Sequence, residues 1–238
     1  MDFFRVAAEW RRPLKQQMLS AYDAFWEQPQ NWIEAPNFRR GGWSGVVCMT
    51  LTDSDGRIRT AYLKRQQGQW RRTLASLGRA RPTYYQEFMS LTHFRTLGAP
   101  VVDWICYGER GPGALLVTLA PDGYLSLSEL AARGDGALLD QALEATVMAL
   151  GTLHCHRWRH GSCYPAHVLV NPDTLEVRLL DLERSRRCRT VAAAARNDLR
   201  QLIRRCPFLT SDQVALMVSV ARRHAPGLDG HHLPALSA

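Results

Sequence analysis

Several signals that would assign the chain to a secreted or membrane class are missing. No apolar run approaches the roughly 18 to 20 residues that a membrane-spanning helix needs. Charged residues interrupt residues 1–17, so we predict that no signal peptide is present. The six cysteines form no Cys-x-x-Cys pair, which favours reduced thiols. We therefore expect a cytoplasmic protein, with any membrane contact peripheral and at the cytoplasmic face.

Internal repeats, low-complexity tracts and long linkers are also missing. With 238 residues, 46% of them hydrophobic, the chain is long enough for one large domain or two small lobes, each with a core. Histidines and cysteines do cluster in "HCHRWRHGSC", residues 154–163, but without the paired spacing of a zinc knuckle. We interpret this cluster as a helix end that runs into a loop, with a zinc site as the weaker alternative.

Acidic residues are outnumbered, which gives a net charge of +8 and predicts an acidic partner: nucleic acid, anionic lipid or a phosphorylated substrate. Much of the excess lies in residues 184–205, where eight arginines accompany one acid, Asp198. Arg196, Arg200 and Arg204 have the spacing of one helix face. A solvated face and a binding surface are equally consistent with this pattern. Nucleic-acid binding is the least favoured partner class because no recognised nucleic-acid module accompanies the arginines.

The first half of the chain has the pattern of a small sheet. An amphipathic helix is predicted over residues 13–28, opened by Pro13. Antiparallel strands follow over residues 37–66, with turns at the glycines near residue 41 and at residues 53–56. A helix from Thr83 to Gly98, with a buried side formed by Phe88, Leu91 and Phe94, precedes two apolar strands over residues 101–120.

The second half is mainly helical. Ser126 or Ser128 is expected to cap a short helix, and a long helix follows over residues 135–154. A hairpin over residues 167–183 then leads to helices over residues 191–206 and 210–224. This order predicts an α+β protein, with an antiparallel sheet lobe and one helix over residues 1–119 and a helical lobe over residues 120–238.

Transfer of a phosphoryl group from a nucleotide depends on positioning and charge neutralisation. A glycine turn, a lysine paired with a glutamate, and a carboxylate after the predicted hairpin suit this reaction and follow one another along the chain. The turn "RRGGWSGVV" supplies Gly41, Gly42 and Gly45, whose backbone N–H groups would approach phosphates, although the spacing is not G-x-G-x-x-G and an ordinary hairpin turn is the alternative. The strand "AYLKR" places Lys64 where its ammonium could pair with Glu87 of "YYQEF" on the following helix.

Carboxylates suited to Mg²⁺ follow the predicted hairpin. Asp181 in "LLDLE" comes directly after an apolar strand, and Glu183 would face the same side if the strand alternation continued. We assign both as metal ligands. Asp198, on a predicted helix, is expected to have a structural role and to hold the loop at residues 160–171 from below.

Residues 160–171, "HGSCYPAHVLVN", have the outline of the catalytic loop H-R-D-x-x-x-x-N. Ser162 stands at the position of the catalytic Asp, and His167 stands at that of the Asn. Because a serine hydroxyl is too weak a base to replace the Asp, we predict that His160 or Glu183 accepts the proton, directly or through water. His167 is a softer ligand than Mg²⁺ prefers, so a second metal would be held weakly.

Six segments between residues 38 and 205 together resemble the lipopolysaccharide core kinase superfamily, the Kdo/heptose kinases of the WaaP and InaA type, with the InaA branch most similar. They are "RGGWSGV", "YLKRQ", "RPTYYQEF", "LLVTLA", "HGSCYPAHVLV" and "LLDLERSR". The resemblance implies a two-lobed protein-kinase-like fold and an ATP- and Mg²⁺-dependent phosphotransferase acting on sugar hydroxyls of the lipopolysaccharide inner core. It also implies that Lys64 binds phosphate, Glu87 pairs with it and Asp181 binds Mg²⁺.

Two functions remain open at this point. The first is the ATP-dependent phosphotransferase, whose acceptor would be the lipopolysaccharide core or another anionic sugar or lipid. The second is a pseudokinase of the InaA type, a regulatory or binding protein without the catalytic Asp. Retention of Lys64, Glu87 and Asp181 favours the first, and Ser162 favours the second.

Overall fold

The computed structural model describes residues 2–33, 36–39, 41–72 and 78–228, which divide into two compact units. The first unit comprises Met1–Leu91 and Val102–Asp122, and the second comprises Thr92–Val101 and Gly123–Ala238. In this division residues 92–101, which we assigned from the sequence to the first lobe, belong to the second unit.

An antiparallel sheet of six strands organises the first unit, in the order β1-β7-β8-β4-β3-β2. Its strands are β1 (Phe3–Val6), β2 (Asn37–Arg39), β3 (Gly42–Thr52), β4 (Ile58–Gln67), β7 (Trp104–Arg110) and β8 (Gly113–Leu119). A separate pair joins β5 (Trp70–Arg72) to β6 (Ala80–Pro82). The sheet alternates as a half-buried surface should: on β4, Leu63 and Arg65 are buried on one face, and Lys64 projects from the other.

Helix α3 (Thr83–Thr96) begins in the first unit, where Phe88 is buried. The Phe88 ring stacks on Tyr107 with centroids 4.6 Å apart and meets Trp104 edge-on at 5.0 Å. The helix start is held by Gln66 of β4, whose Oε1 accepts hydrogen bonds from Thr83 Oγ1 at 2.6 Å and from the Tyr84 amide at 3.0 Å. This side chain therefore fixes the start of α3 against β4.

The predicted helix over residues 13–28 is wrong. The chain forms two short helices, α1 (Arg11–Gln16) and α2 (Tyr22–Trp26), preceded by the unpredicted strand β1, which pairs with β7. Met18 ends α1 in a left-handed conformation (φ 57°), and the Leu19 amide returns to the Leu14 carbonyl at 2.8 Å. This capping geometry stops the helix where the apolar periodicity alone would continue it.

The described residues of the second unit include the end of α3 and the helices α4 (Leu127–Ala132), α5 (Gly136–Cys155), α6 (Val191–Arg205) and α7 (Ser211–His224). Ser126 forms a capping box with Glu129 at the start of α4, and Thr210 and Gln213 do the same for α7. The predicted hairpin consists of β11 (Val168–Val170) and β12 (Val177–Leu179), next to β9 (Leu125–Ser126). A second small pair joins β10 (Trp158–Arg159) to β13 (Arg186–Arg187).

Two further predictions concern membrane segments and thiols. Across the described ranges, no helix combines the length and apolar character that crossing a membrane requires. All six cysteines lie in those ranges, and each is a free thiol. Cys106, Cys163 and Cys206 are buried, and burial raises the pKa of each of these thiols, which makes them poor nucleophiles.

The buried guanidinium of Arg65 ties the segment around α2 to the sheet. Its side chain is 1% exposed and donates hydrogen bonds to the carbonyls of Trp26 at 2.7 Å, Gln28 at 2.8 Å and Pro29 at 3.3 Å. The guanidinium also lies 5.0 Å from the centroid of the Trp32 ring. Three backbone carbonyls, at the end of α2 and directly after it, thus take a donor from one side chain.

We expect Arg65→Met to lower the free energy of unfolding by about 2 to 4 kcal/mol, because it leaves those carbonyls without donors. Arg57→Met is the matched control, since Arg57 is exposed at the turn before β4 and its loss should cost less than about 0.5 kcal/mol. Urea unfolding followed by tryptophan fluorescence measures both. Equal midpoints for the two variants would contradict this role of Arg65.

Candidate functional site

The Lys64 ammonium and the Glu87 carboxylate form an ion pair in the first unit. Lys64 lies on the face of β4 opposite to Leu63 and Arg65, and Glu87 lies one turn into α3. Their Nζ and Oε1 atoms are 2.6 Å apart; the lysine side chain is 15% exposed and the glutamate 1%. Gln66, two residues after Lys64 on β4, bonds the first residues of α3 and so brings the start of this helix close to Lys64. The carboxylate orients the ammonium, which keeps enough exposure to meet an anion.

The three glycines near the first hairpin differ in their surroundings. A Cβ on Gly42 would lie 2.2 Å from the Gln67 carbonyl oxygen, and a Cβ on Gly45 would lie 2.6 Å from the Trp32 ring. Both glycines are therefore required by packing inside the unit. Gly41 has φ 76° and nothing within 4 Å of a built Cβ, so it is the glycine with open space beside it. Arg40, between the strands, lies outside the described residues.

The buried carboxylate of Asp198, on α6, holds the loop that begins at His160. Its Oδ2 accepts hydrogen bonds from the His160 amide at 2.7 Å and from His154 Nε2 at 3.0 Å, and its Oδ1 accepts one from the Gly161 amide at 3.0 Å. Gly161 has φ 80°, and a Cβ there would lie 2.3 Å from the Arg184 carbonyl oxygen. The close approach explains why glycine replaces the Arg of H-R-D in this chain.

Burial and hydrogen bonding act in opposite directions on these groups. Burial by itself raises the pKa of Asp198, but the hydrogen bond and charge of His154 and the hydrogen bond from the Gly161 amide outweigh it, so the net pKa lies below its usual value. Burial lowers the pKa of His160 and keeps its imidazole neutral at pH 7. The carboxylate is therefore charged and the loop histidine is not.

The surroundings of His160 argue against the proton-acceptor role that we assigned to it. Its side chain is 0% exposed, and its Nδ1 accepts a hydrogen bond from the Ser162 amide at 3.2 Å. A side chain with no accessible surface does not contact a substrate hydroxyl. His160 instead braces the loop, and of the two predicted acceptors Glu183 is the partly exposed one.

His167 and Asp181 lie side by side in the second unit. The Nδ1 atom of His167 is 2.8 Å from the Ser162 carbonyl oxygen and 3.3 Å from Asp181 Oδ2, so two acceptors favour the tautomer with the proton on Nδ1. Both side chains are partly exposed. Asp181 has φ 61°, a conformation that is costly for most non-glycine residues and that recurs at active sites.

The expected strand alternation from Asp181 to Glu183 is wrong. Strand β12 ends at Leu179, and the left-handed Asp181 breaks the extended geometry on which the alternation depended. Glu183 Oε1 instead lies 3.4 Å from Arg184 Nε. The two carboxylates are therefore not aligned by a shared strand face.

The donor set limits the kind of metal site that is possible. Within the described residues, no three His, Cys, Asp or Glu side chains are grouped so as to hold a metal ion, which includes the histidine and cysteine cluster at residues 154–163. Mg²⁺ is commonly held by one or two carboxylates together with substrate phosphates and water. The single carboxylate of Asp181 fits a Mg²⁺ that is bound together with a nucleotide, and the described residues do not form a site made of protein ligands alone.

Solved structures with the same architecture define the fold. An aminoglycoside-3'-phosphotransferase of type VIII has a TM-score of 0.57, with 15% identity over 95% of this chain and 96% of that chain. Aminoglycoside phosphotransferase APH(3'')-Id from Streptomyces rimosus, in complex with ADP and streptomycin, has a TM-score of 0.52, with 16% identity over 79% of this chain and 86% of that chain. The protein-kinase-like α+β fold predicted from the sequence is thereby confirmed, and identity at this level shows the fold alone.

Sequence relatives identify the family within that fold. Residues 23–220 match the lipopolysaccharide kinase (Kdo/WaaP) family. Protein InaA of Escherichia coli strain K12 is 30% identical over 195 residues, which cover 76% of this chain and 87% of InaA. The chain therefore belongs to the lipopolysaccharide kinase (Kdo/WaaP) family, and the resemblance drawn from its motifs is confirmed.

Three supporting residues were not identified from the sequence. Gln66 follows Arg65 on β4 as an ordinary polar residue, and no pattern indicates that it caps α3. His154 was grouped with a possible zinc cluster and instead bonds Asp198. His224 lies 70 residues away, with its Nε2 atom 3.3 Å from His154 Nδ1. The one available signal was the position of His154 in the last turn of a helix that ends at the loop.

We expect Asp198→Asn to lower the free energy of unfolding by about 3 kcal/mol, because an amide NH₂ would face backbone donors that now bond a carboxylate. Asp212→Asn is the control: Asp212 is exposed in the first turn of α7, where loss of the charge should cost at most about 1 kcal/mol. Urea unfolding gives both values. A cost for Asp198→Asn no larger than that of the control would contradict the supporting role.

His224 should make stability depend on pH in the acid range. Burial, followed by the proximity of His154, lowers the pKa of His224 from 6.5 to about 4. The unfolded chain thus takes up a proton near pH 6.5 and the folded protein near pH 4, so the free energy of unfolding falls as the pH drops between these values. Asp198, with a lowered pKa, adds a further loss only as the pH falls below about 3.8.

We expect His224→Gln to flatten the dependence of the unfolding midpoint on pH between 6.5 and 4. His156→Gln, at an exposed histidine, should leave the slope as in the unmodified protein. Urea midpoints in a pH series measure the effect. The same slope in all three proteins would exclude His224 as its source.

Proposed function

We propose that this protein binds ATP with Mg²⁺ and transfers the γ-phosphoryl group to a sugar hydroxyl of the lipopolysaccharide inner core. The observation that carries the proposal is the Lys64–Glu87 ion pair, since an ammonium oriented by a buried carboxylate is suited to bind nucleotide phosphates. Family membership supports the reaction class. We also propose that the protein acts at the cytoplasmic face of the membrane without crossing it.

Five of the predicted residues then have a role at the nucleotide. Lys64 binds phosphate oxygens, Glu87 orients it, and Gly41 offers the open backbone beside which a phosphate can lie. Asp181 would hold Mg²⁺, which neutralises charge on the phosphates. His167 is a positioning residue, since its Nδ1 lies between the Ser162 carbonyl and the Asp181 carboxylate.

The transfer step forms one bond and breaks one. The acceptor oxygen bonds to the γ-phosphorus, the bond from that phosphorus to the bridging oxygen of ADP breaks, and the hydroxyl proton passes to Glu183 or to water. The acceptor keeps its proton until late in a loose transition state, so Ser162 in place of the Asp slows the reaction and does not abolish it. General-base catalysis typically raises a rate by about 10² to 10⁴, so we expect the absence of the Asp to lower the transfer rate by a factor in this range.

The second candidate function is a pseudokinase, a regulatory or binding protein of the InaA type. Ser162 favours it, because this residue removes the base from a loop whose first two amides are still held by Asp198. In that function a nucleotide, if one is bound, acts as a conformational ligand and is not consumed.

Calorimetric titration with ATP tests the nucleotide site. We expect binding that requires Mg²⁺ and that weakens by about ten- to a hundredfold in Lys64→Ala and Asp181→Ala, each of which removes one charged contact. Lys15→Ala and Asp212→Ala, at exposed positions, are the matched controls. No heat at millimolar ATP, or equal loss in the controls, would overturn the nucleotide site.

A transfer assay with labelled ATP and core lipopolysaccharide separates the two functions. The phosphotransferase predicts slow incorporation of label that decreases further in Glu183→Gln. A protein that binds Mg²⁺-ATP but shows no incorporation is the pseudokinase.

A further inference from the structure

A cavity of about 560 Å³ in the second unit is lined by many positive charges. Its lining includes Arg159, Arg184, Arg200, Arg204 and Arg205, and no carboxylate is among the described lining residues. We call this cavity the arginine pocket. Its volume suits a small ligand, since binding cavities for such molecules span about 300 to 1,000 Å³.

The charges in the arginine pocket are largely uncompensated. Arg184 lies 3.4 Å from Glu183, but the other four arginines form no ion pair with a carboxylate of the described chain. Arg204 and Arg205 lie in the last turn of α6, where the helix dipole favours cations whether or not a ligand binds. That explanation does not cover Arg159 on β10 or Arg184, which reach the pocket from other segments. Mutual repulsion of five cations would be relieved by an anion in the pocket.

Neutral groups in the arginine pocket are also arranged to donate. The Gln201 Oε1 atom accepts a hydrogen bond from the Cys163 amide at 2.8 Å, which fixes the amide group and leaves its NH₂ to donate. The Arg205 guanidinium lies 5.1 Å from the centroid of the Tyr164 ring, a stacking contact that limits its orientations. Planar guanidinium groups bind phosphate oxygens in pairs, and a phosphate monoester has three such oxygens.

The arginine pocket borders the loop that carries the proposed chemistry. Gly161 and Tyr164 line it, on either side of Ser162 in the sequence. An acceptor held there by an anionic group would lie against this loop. A cationic acceptor such as streptomycin would be repelled by the same five arginines.

We infer that the arginine pocket binds a phosphate monoester carried by the acceptor, so that the acceptor is a sugar already phosphorylated at another position. This inference rests on the proposed function, because only that reaction makes the bound sugar phosphate an acceptor. Binding of the phosphate itself does not require a nucleotide. The pocket provides a reason for the net positive charge that the nucleotide site does not require.

Calorimetry on the full chain without nucleotide tests the inference, with glucose 6-phosphate as the probe and glucose as the uncharged comparison. We expect glucose 6-phosphate to bind and glucose not to bind. Arg200→Gln combined with Arg204→Gln should weaken binding about a hundredfold, since each lost charged contact is worth about tenfold. Arg11→Gln combined with Arg12→Gln removes the same charge from exposed positions of α1 and should change the affinity less than twofold.

Other sources of phosphate are distinguished by two further arms. Vesicles of phosphatidylglycerol, or duplex DNA, that bind through Arg200 and Arg204 while glucose 6-phosphate does not would overturn the sugar phosphate as ligand. Equal weakening in the pocket variant and the α1 control would overturn the pocket. Thermal unfolding of each variant, and retained Mg²⁺-ATP binding in the pocket variant, show that a loss is local.

The two proposals fail separately. Failure of ATP binding with glucose 6-phosphate binding intact removes the proposed function and leaves the arginine pocket. Failure of glucose 6-phosphate binding with ATP binding intact removes the arginine pocket alone.

Discussion

The second unit depends on one buried carboxylate. Asp198 bonds the amides of His160 and Gly161 and the ring of His154, so a single charge on α6 determines both the course of the loop and the position of α5 beside it. A charge with no access to solvent is costly unless its lone pairs are satisfied, and here three donors satisfy them. The loop shape is thus set by a helix beneath it.

Much of the architecture was accessible from the sequence because its elements are long and periodic. The strands over residues 37–66, the helix after Thr83 and the long helix α5 have apolar spacing that local physics suffices to interpret. The pairing of Lys64 with Glu87 followed from element order. The N-terminal segment was misread because β1 has four residues and gains its stability from β7, about 100 residues later in the chain. Left-handed residues such as Met18 and Asp181 also leave no signal in a periodicity of apolar side chains.

Glycines occur in this chain for two different structural reasons. Gly42 and Gly45 belong to what resembles a phosphate-binding turn, yet the Gln67 carbonyl and the Trp32 ring each occupy the space of a Cβ. Gly161 departs from the kinase signature for the same kind of reason, since the Arg184 carbonyl lies against it. A sequence motif can thus contain residues required for ligand binding and residues required for packing, and their spacing in the sequence does not distinguish the two kinds.

The hydrogen bonds of Ser162 use its backbone: the amide donates to His160, and the carbonyl accepts from His167. These two bonds do not depend on which side chain stands at this position, although the side chain itself is buried and must fit its surroundings. A residue that fits there can be exchanged with both bonds kept, and a reaction can be gained or lost while the architecture stays the same. Similarity of fold and similarity of activity can then be inherited independently, and two proteins with superimposable loops need not catalyse the same reaction.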